Sequence, residues 1–165
     1  MDFRAVTLIR RLHLAVRAEL TEVLRAGGFD DITPAHIYVF QTPGPDGVRP
    51  TELAERALMT KQAMNHLLVG LEQRGYLERV SVEGDGRARR LRLTTKGRRL
   101  TNLIQQTSSQ IERRWTAALG TERMEDLAGA LGALDELGPY RDTPRASGVD
   151  REPVDSRQAD RSQRA

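Results

Sequence analysis

Five residues with polar or charged side chains fall within one short stretch of the chain: Thr60, Lys61, Gln62, Asn65 and His66. The apolar residues of this region recur at the i, i+3, i+4, i+7 spacing of a helix: Met64, Leu67, Leu68 and Leu71. Burial of that face would turn the polar residues outward, close to a helix N-terminus whose free amides favour phosphate. Glutamine and asparagine can pair with adenine in a major groove, and Lys61 can reach guanine or phosphate. An ordinary amphipathic surface helix would show the same pattern.

A basic segment follows this helix. Between residues 74 and 99, nine basic residues stand against three acidic ones, a local net charge of +6 in a chain whose total is +3. Alternating residues over 76–82 and 90–93 predict an antiparallel hairpin with a glycine-rich tip at 84–87. Its arginines could meet phosphates or a narrow minor groove: Arg87, Arg89, Arg90 and Arg92. The alternatives are a solvated charge run and a plain hairpin turn.

Helices must hold the polar stretch and the hairpin in place. Apolar residues at three- and four-residue steps predict a first helix over 3–24, ended by Gly27 and Gly28. Capping residues and first-turn prolines predict where later helices begin: at Thr33-Pro34, at Pro50, at Thr60, and at Thr94 or Thr95. A last helix carries leucines through Leu137. The predicted fold class is mainly α with a small antiparallel β wing, a winged helix-turn-helix.

Composition excludes several classes of protein. The absence of cysteine excludes disulfides, thiolate metal sites and cysteine nucleophiles. Three separated histidines predict no metal site, and no dinucleotide loop, phosphate loop or Gly-x-Ser-x-Gly elbow is present, so we expect neither an enzyme nor a cofactor. No stretch approaches the roughly 20 apolar residues that a membrane span needs, so we expect a cytoplasmic protein without membrane contact.

Two motifs resemble the MarR family of bacterial transcriptional regulators. One runs from Arg49-Pro50-Thr51-Glu52-Leu53-Ala54-Glu55-Arg56 through Leu71-Glu72-Gln73-Arg74-Gly75-Tyr76-Leu77-Glu78-Arg79. The other is the wing run Asp85-Gly86-Arg87-Ala88-Arg89-Arg90-Leu91-Arg92-Leu93-Thr94-Thr95-Lys96-Gly97. With the flanking helices, the resemblance covers roughly residues 3–137. It implies a homodimer that places two helices in successive major grooves of double-stranded DNA, and most often a repressor.

Residue by residue, the resemblance places Thr60, Lys61, Gln62, Asn65 and His66 at positions that contact bases and phosphates. It makes Arg87 the wing-tip arginine and Asp85 the acid that braces it. The chain departs from the family at Val69 and Gly70, where relatives often carry a charged pair, so contacts made by those charges are not expected here.

The ends of the chain also predict a dimer. The helix faces over 3–24 and 100–137 carry more apolar surface than a small core can cover, which indicates pairing with a second copy. Packing within one chain is the alternative. We therefore expect a winged-helix domain over 1–137, with a DNA-binding lobe at 33–97 and dimerisation helices at 3–24 and 95–137. The polar segment 138–165 is predicted to be a disordered tail.

The resemblance further implies release from DNA by a small amphipathic or phenolic effector. Five residues could supply polar and aromatic groups to such a cleft: His13, His36, Tyr38, Arg114 and Trp115. The same residues could equally serve the core or the surface. An adaptor that uses its winged helix for protein contacts is the alternative function, but such a module would not need a polar helix face or a basic wing.

Overall fold

The computed structural model describes residues 4–41, 44–82 and 85–137, with side chains throughout except at 82 and 85–88. Six helices and two strands follow in the order α1 (Arg4–Ala26), α2 (Pro34–Phe40), α3 (Pro50–Arg56), α4 (Lys61–Gln73), β1 (Leu77–Val82), β2 (Asp85–Leu93), α5 (Thr95–Leu119) and α6 (Thr121–Leu137). The chain divides into two compact units, 1–129 and 130–165, and the described part of the second is the end of α6. The predicted tail at 138–165 lies outside the described residues.

The predicted helix starts are confirmed by their capping contacts. The Thr60 side chain accepts a hydrogen bond from the Ala63 amide at 3.1 Å, and the Thr94 hydroxyl accepts one from the Gly97 amide, also at 3.1 Å. Pro34 and Pro50 occupy the first turns of α2 and α3, where a missing amide hydrogen costs nothing. These residues set the ends of the helices that carry the helix-turn-helix.

The core of the first unit is built from residues of all five helices α1 to α5 and of the two strands. Met64, Leu68 and Leu71 of α4 are completely buried, as the spacing predicts. Tyr76 is also buried, and its ring lies 6.2 Å from that of Phe29 and 6.3 Å from that of Phe40, measured between centroids. The start of the wing is therefore anchored in the same core as α4.

The wing differs from its predicted form. β2 begins at Asp85 rather than near Arg90, and Val82 pairs with Asp85. The strands pair regularly from Leu77 with Leu93 to Ser81 with Arg89, and the register then shifts at residues 81 and 82. The predicted tip at 84–87 is thus mostly strand, because three additional β2 residues are accommodated in an irregularity instead of in the turn.

Residues 46–48 support the other edge of β2. Leu91 donates its amide hydrogen to the Val48 carbonyl at 2.9 Å, and Gly47 donates to the Leu91 carbonyl at 2.8 Å. The Asp46 carboxylate accepts a hydrogen bond from the Leu93 amide at 2.8 Å. Both edges of β2 therefore have backbone partners, which holds the base of the wing in a fixed position.

Candidate nucleic-acid interface

α4 presents the predicted polar face to solvent. Lys61, Gln62, Asn65 and His66 are exposed, whereas the leucines on the opposite face are buried or partly buried. The Thr60 hydroxyl is engaged as the N-cap, so its side chain serves the helix start as well as any outside contact. The outward orientation is confirmed, and the contacts of these residues with DNA stay a prediction.

A hydrogen bond from the wing reaches this polar face. Arg79, on β1, donates from Nη2 to the Oδ1 atom of Asn65 at 2.7 Å. Arg79 Nε lies 3.2 Å from Glu72 Oε1, an ion pair in which both side chains are only about a quarter exposed, at 28% and 26%. Glu72 and Arg79 belong to the family-like motif, but the sequence alone predicted no role in the site for either of them. The sequence feature that could have identified Arg79 is its position two residues after Leu77, on the strand that follows α4.

The wing arginines have different surroundings. Arg90 donates to the Gly47 carbonyl at 2.6 Å, and Arg92 forms an ion pair with Glu78 at 2.8 Å. The Arg89 side chain is exposed. The side chains of Asp85 and Arg87 lie outside the described residues, so the predicted brace between them stays a prediction. Arg92 therefore links the two strands and Arg90 links β2 to Gly47, and both add positive charge.

A polar network connects the start of α2 with the end of α4. Arg74 donates to the Asp31 carbonyl at 3.0 Å, and its Nη1 lies 3.4 Å from His36 Nε2. Tyr76 donates a short hydrogen bond to the Asp31 carboxylate, and Lys96 reaches the same carboxylate at 3.3 Å. Lys96 also stands 4.0 Å above the Tyr76 ring. The network therefore ties the base of the wing and α5 to the Asp31 carboxylate, and the end of α4 to the Asp31 backbone carbonyl.

Three side chains of this network have shifted pKa values. Desolvation acts to raise the pKa of Asp31, but the hydrogen bonds from Tyr76 and Lys96 outweigh it and leave that pKa lowered. Burial and the hydrogen bond to Asp31 raise the pKa of Tyr76 well above its ordinary value. Burial and the neighbouring Arg74 guanidinium lower the pKa of His36. Near neutral pH, His36 is therefore an uncharged residue whose Nδ1 accepts a hydrogen bond from the Thr33 amide at 3.0 Å.

The structure brings together only some of the predicted effector residues. Tyr38 and His13 are hydrogen-bonded at 3.1 Å between the hydroxyl and Nε2, on an exposed surface between α1 and α2. Arg114 instead pairs with Glu19 of α1 at 2.6 Å, and Trp115 is half-buried on α5. His36 belongs to the network with Arg74. A direct hydrogen bond thus joins His13 and Tyr38, and the effector role of all five residues stays a prediction.

Helix α1 exposes an apolar face. Five large apolar side chains of its first half are between 44% and 68% exposed: Val6, Leu8, Ile9, Leu12 and Leu14. In the second unit, the end of α6 likewise exposes Leu131, Leu134 and Leu137. Within the described ranges, no group of histidine and acidic residues could hold a metal ion. No helix in the described part of the chain is long and apolar enough to cross a membrane.

Known sequences match the part of the chain that contains α4 and β1. A MarR family model matches residues 30–88. The exopolysaccharide II synthesis transcriptional activator ExpG of Rhizobium meliloti (strain 1021) is 32% identical over 128 residues, which cover 78% of this chain and 63% of ExpG. The HTH-type transcriptional regulator PecS of Dickeya dadantii (strain 3937) is 26% identical over 92 residues, 56% of this chain and 55% of PecS. The chain thus spans less than two thirds of either relative.

Comparison with solved structures gives the same fold. Streptococcus pneumoniae FabT, whose crystal structure was determined in complex with DNA, matches with a TM-score of 0.73 at 23% identity. The match covers 82% of this chain and 96% of that one. The predicted fold class, mainly helical with a two-stranded wing, is confirmed. Both curated relatives are named as regulators of transcription, which agrees with the prediction that the chain is not an enzyme.

Proposed function

Because the chain carries a winged-helix domain of the MarR family, we propose that it regulates transcription by binding a specific DNA sequence. The observation that carries this proposal is the exposed polar face of α4, set on a helix whose opposite face is fixed in the core. Lys61 and Gln62 lie in the first turn, where the helix dipole and the free amides favour a phosphate. The wing adds arginines beside this face, which suits a second contact with the backbone of DNA.

We further propose that the protein acts as a homodimer. The exposed apolar face of α1 would cost free energy in water, and a second copy of the chain offers the same face for mutual burial. A two-fold dimer would bind a pseudo-palindromic operator whose half-sites lie about 10 bp apart, centre to centre. Leu12→Glu should shift the protein towards the monomer in size-exclusion chromatography with light scattering. The control Leu58→Glu places the same charge on another exposed leucine, and it should leave the dimer intact.

The direction of regulation depends on where the operator lies. Binding that overlaps a promoter blocks polymerase, and we propose repression as the simplest outcome. The relative ExpG is named as an activator, so a reporter assay should place the selected operator both over and upstream of a promoter. Reduced expression in the first arrangement supports repression. Increased expression in the second, with no effect in the first, would contradict it.

A small amphipathic or phenolic molecule is the proposed effector. The exposed His13–Tyr38 pair offers a ring to stack on and a polar pair to hydrogen-bond, which suits a phenol. The molecules to test are simple phenols and aryl carboxylates, added to the complex with operator DNA. Release of DNA that is lost in Tyr38→Leu would support the effector site. Release that is unchanged by this substitution would place the effector elsewhere.

Selection from randomised duplex DNA tests the main proposal. The purified protein should enrich a two-fold-symmetric motif, and its affinity should fall as salt rises because counterions are displaced from phosphates. Lys61→Ala should weaken binding, whereas Arg113→Ala removes an exposed charge on α5 and should not. Recovery of no motif, with binding that disappears at moderate salt, would instead favour the adaptor function.

A further inference from the structure

We propose that Arg79 sets the hydrogen-bonding polarity of Asn65, so that Asn65 reads its base pair as a donor and selects guanine rather than adenine. This inference rests on the proposed function, because it assumes that the exposed face of α4 enters a major groove. It concerns one base pair in each half-site. Arg79 is a positioning residue in this proposal, since it acts on the base through Asn65.

The identity of the atoms that face each other follows from the chemistry of arginine. A guanidinium group carries only hydrogen-bond donors, so the Asn65 atom that lies 2.7 Å from Arg79 Nη2 must be the carbonyl oxygen. The amide nitrogen, Nδ2, is then the Asn65 atom turned away from Arg79. Rotation of the amide by half a turn would set two donors against each other, which prevents Asn65 from exchanging its two ends.

Arg79 is itself held in place. Its Nε lies 3.2 Å from the Glu72 carboxylate, and the two side chains are far less exposed than a surface pair such as Arg25 and Glu22, which are each 67% exposed. Arg79 Nε is buried without an aligned hydrogen bond among the described residues, so the nearby carboxylate is its electrostatic compensation. Movement of Arg79 away from Asn65 would weaken this pair. The orientation of Asn65 is therefore fixed before any DNA is bound.

A fixed donor changes which base suits Asn65. Pairing with adenine through two hydrogen bonds requires asparagine to accept from the adenine amino group while it donates to N7. In this protein the Asn65 oxygen keeps a second lone pair, but its position is set by Arg79 rather than by the base, because a charged donor forms a stronger hydrogen bond than a neutral amino group does. The two hydrogens of Nδ2 match the two neighbouring acceptors of guanine, O6 and N7. An asparagine whose amide can rotate freely would favour adenine, whereas Asn65 should favour guanine.

Two near-isosteric substitutions separate the roles of the two residues. Asn65→Asp keeps an oxygen for Arg79 but presents a second oxygen to the groove, so the preferred base should change from guanine to cytosine, whose amino group donates. Arg79→Met keeps the packing of the aliphatic part of the side chain but removes the hydrogen-bond donor, so adenine should become acceptable at the same position. Each change should alter the affinity for the original operator relative to the altered one by about tenfold.

Matched variants control for effects on charge and folding. Arg92→Met makes the same substitution at another wing arginine, which pairs with Glu78 rather than with α4, and it should weaken binding without changing base preference. Arg79→Lys retains a cationic donor and should keep the guanine. Asn65 is exposed, so Asn65→Asp should unfold in urea at the same concentration as the unmodified protein, and it tests the base preference even if Arg79→Met is less stable.

Selection from randomised DNA, carried out with the unmodified protein and each of the four variants and followed by sequencing, distinguishes the outcomes. The inference is supported if the unmodified protein selects guanine at one position and both Asn65→Asp and Arg79→Met alter that position alone. Adenine at this position in the unmodified protein would overturn it, as would an Arg79→Met variant with unchanged preference. Failure of the unmodified protein to enrich any motif would instead overturn the proposed function itself, which is a distinct result.

Discussion

Gly97 should be the glycine whose replacement by alanine most disturbs the packing of α5 against the start of the wing. A Cβ atom built at this position would lie 1.9 Å from the Tyr76 carbonyl oxygen and 3.0 Å from a methyl group of Leu93. The obstacle at Tyr76 is backbone, so no side-chain rotation relieves it. α5 would have to move away from the start of the wing by roughly 1.5 Å to restore an ordinary contact distance.

The cost of that movement can be estimated from the contacts it would break. Overpacking of this kind costs about 1–3 kcal/mol. The Tyr76 carbonyl also accepts hydrogen bonds from the Thr94 amide and hydroxyl, each at 3.1 Å, and Thr94 caps α5 through the Gly97 amide. Loss of the cap adds about 1 kcal/mol, and the higher helix propensity of alanine returns up to about 1 kcal/mol. The expected net destabilisation of Gly97→Ala is about 2 kcal/mol.

Urea denaturation followed by circular dichroism measures this difference. Gly129→Ala is the matched control, since it makes the same substitution within a helix at a site with no neighbouring atom within 4 Å. It should raise the free energy of unfolding by about 0.5–1 kcal/mol. All proteins must be compared at one concentration, because dimerisation contributes to stability. A Gly97→Ala protein as stable as the Gly129→Ala protein would refute the close approach of α5 to Tyr76.

Three further predictions concern pH, backbone strain and salt. Because folding lowers the pKa of His36, the unfolded state takes up the proton first as pH falls below about 6.5, and the free energy of unfolding should decrease below that pH. His36→Gln should remove this dependence in urea titrations, and a dependence that persists in the variant would contradict the role of His36. Leu58 has a positive φ of 53° and a side chain that is 63% exposed, so Leu58→Asn should raise the free energy of unfolding by up to about 1 kcal/mol; a loss of stability would show that the leucine makes a compensating contact. Arg87→Ala should reduce the slope of log affinity against log salt by about 0.9 if Arg87 meets one phosphate, and an unchanged slope would exclude that role.

The helix starts and the two faces of α4 could be predicted from the sequence because they depend on neighbouring residues. Capping by Thr60 and Thr94 and the spacing of the buried leucines are local properties, read over one or two helical turns. The strand boundary at Asp85 was predicted wrongly for the opposite reason. Glycine and aspartate favour a turn locally, but pairing with β1, which joins Asp85 to Val82, extends the strand.

The contacts that set the chemistry of α4 could not be predicted, because they join residues far apart in the sequence. Asn65 and Arg79 are separated by 14 positions, and Arg74 and His36 by 38. The polar face of α4 identifies Asn65 as a candidate but says nothing about which end of its amide faces outward. That information comes from a donor on another element. Base preference in this protein should therefore depend on the strand behind the helix as well as on the helix residues that touch the base.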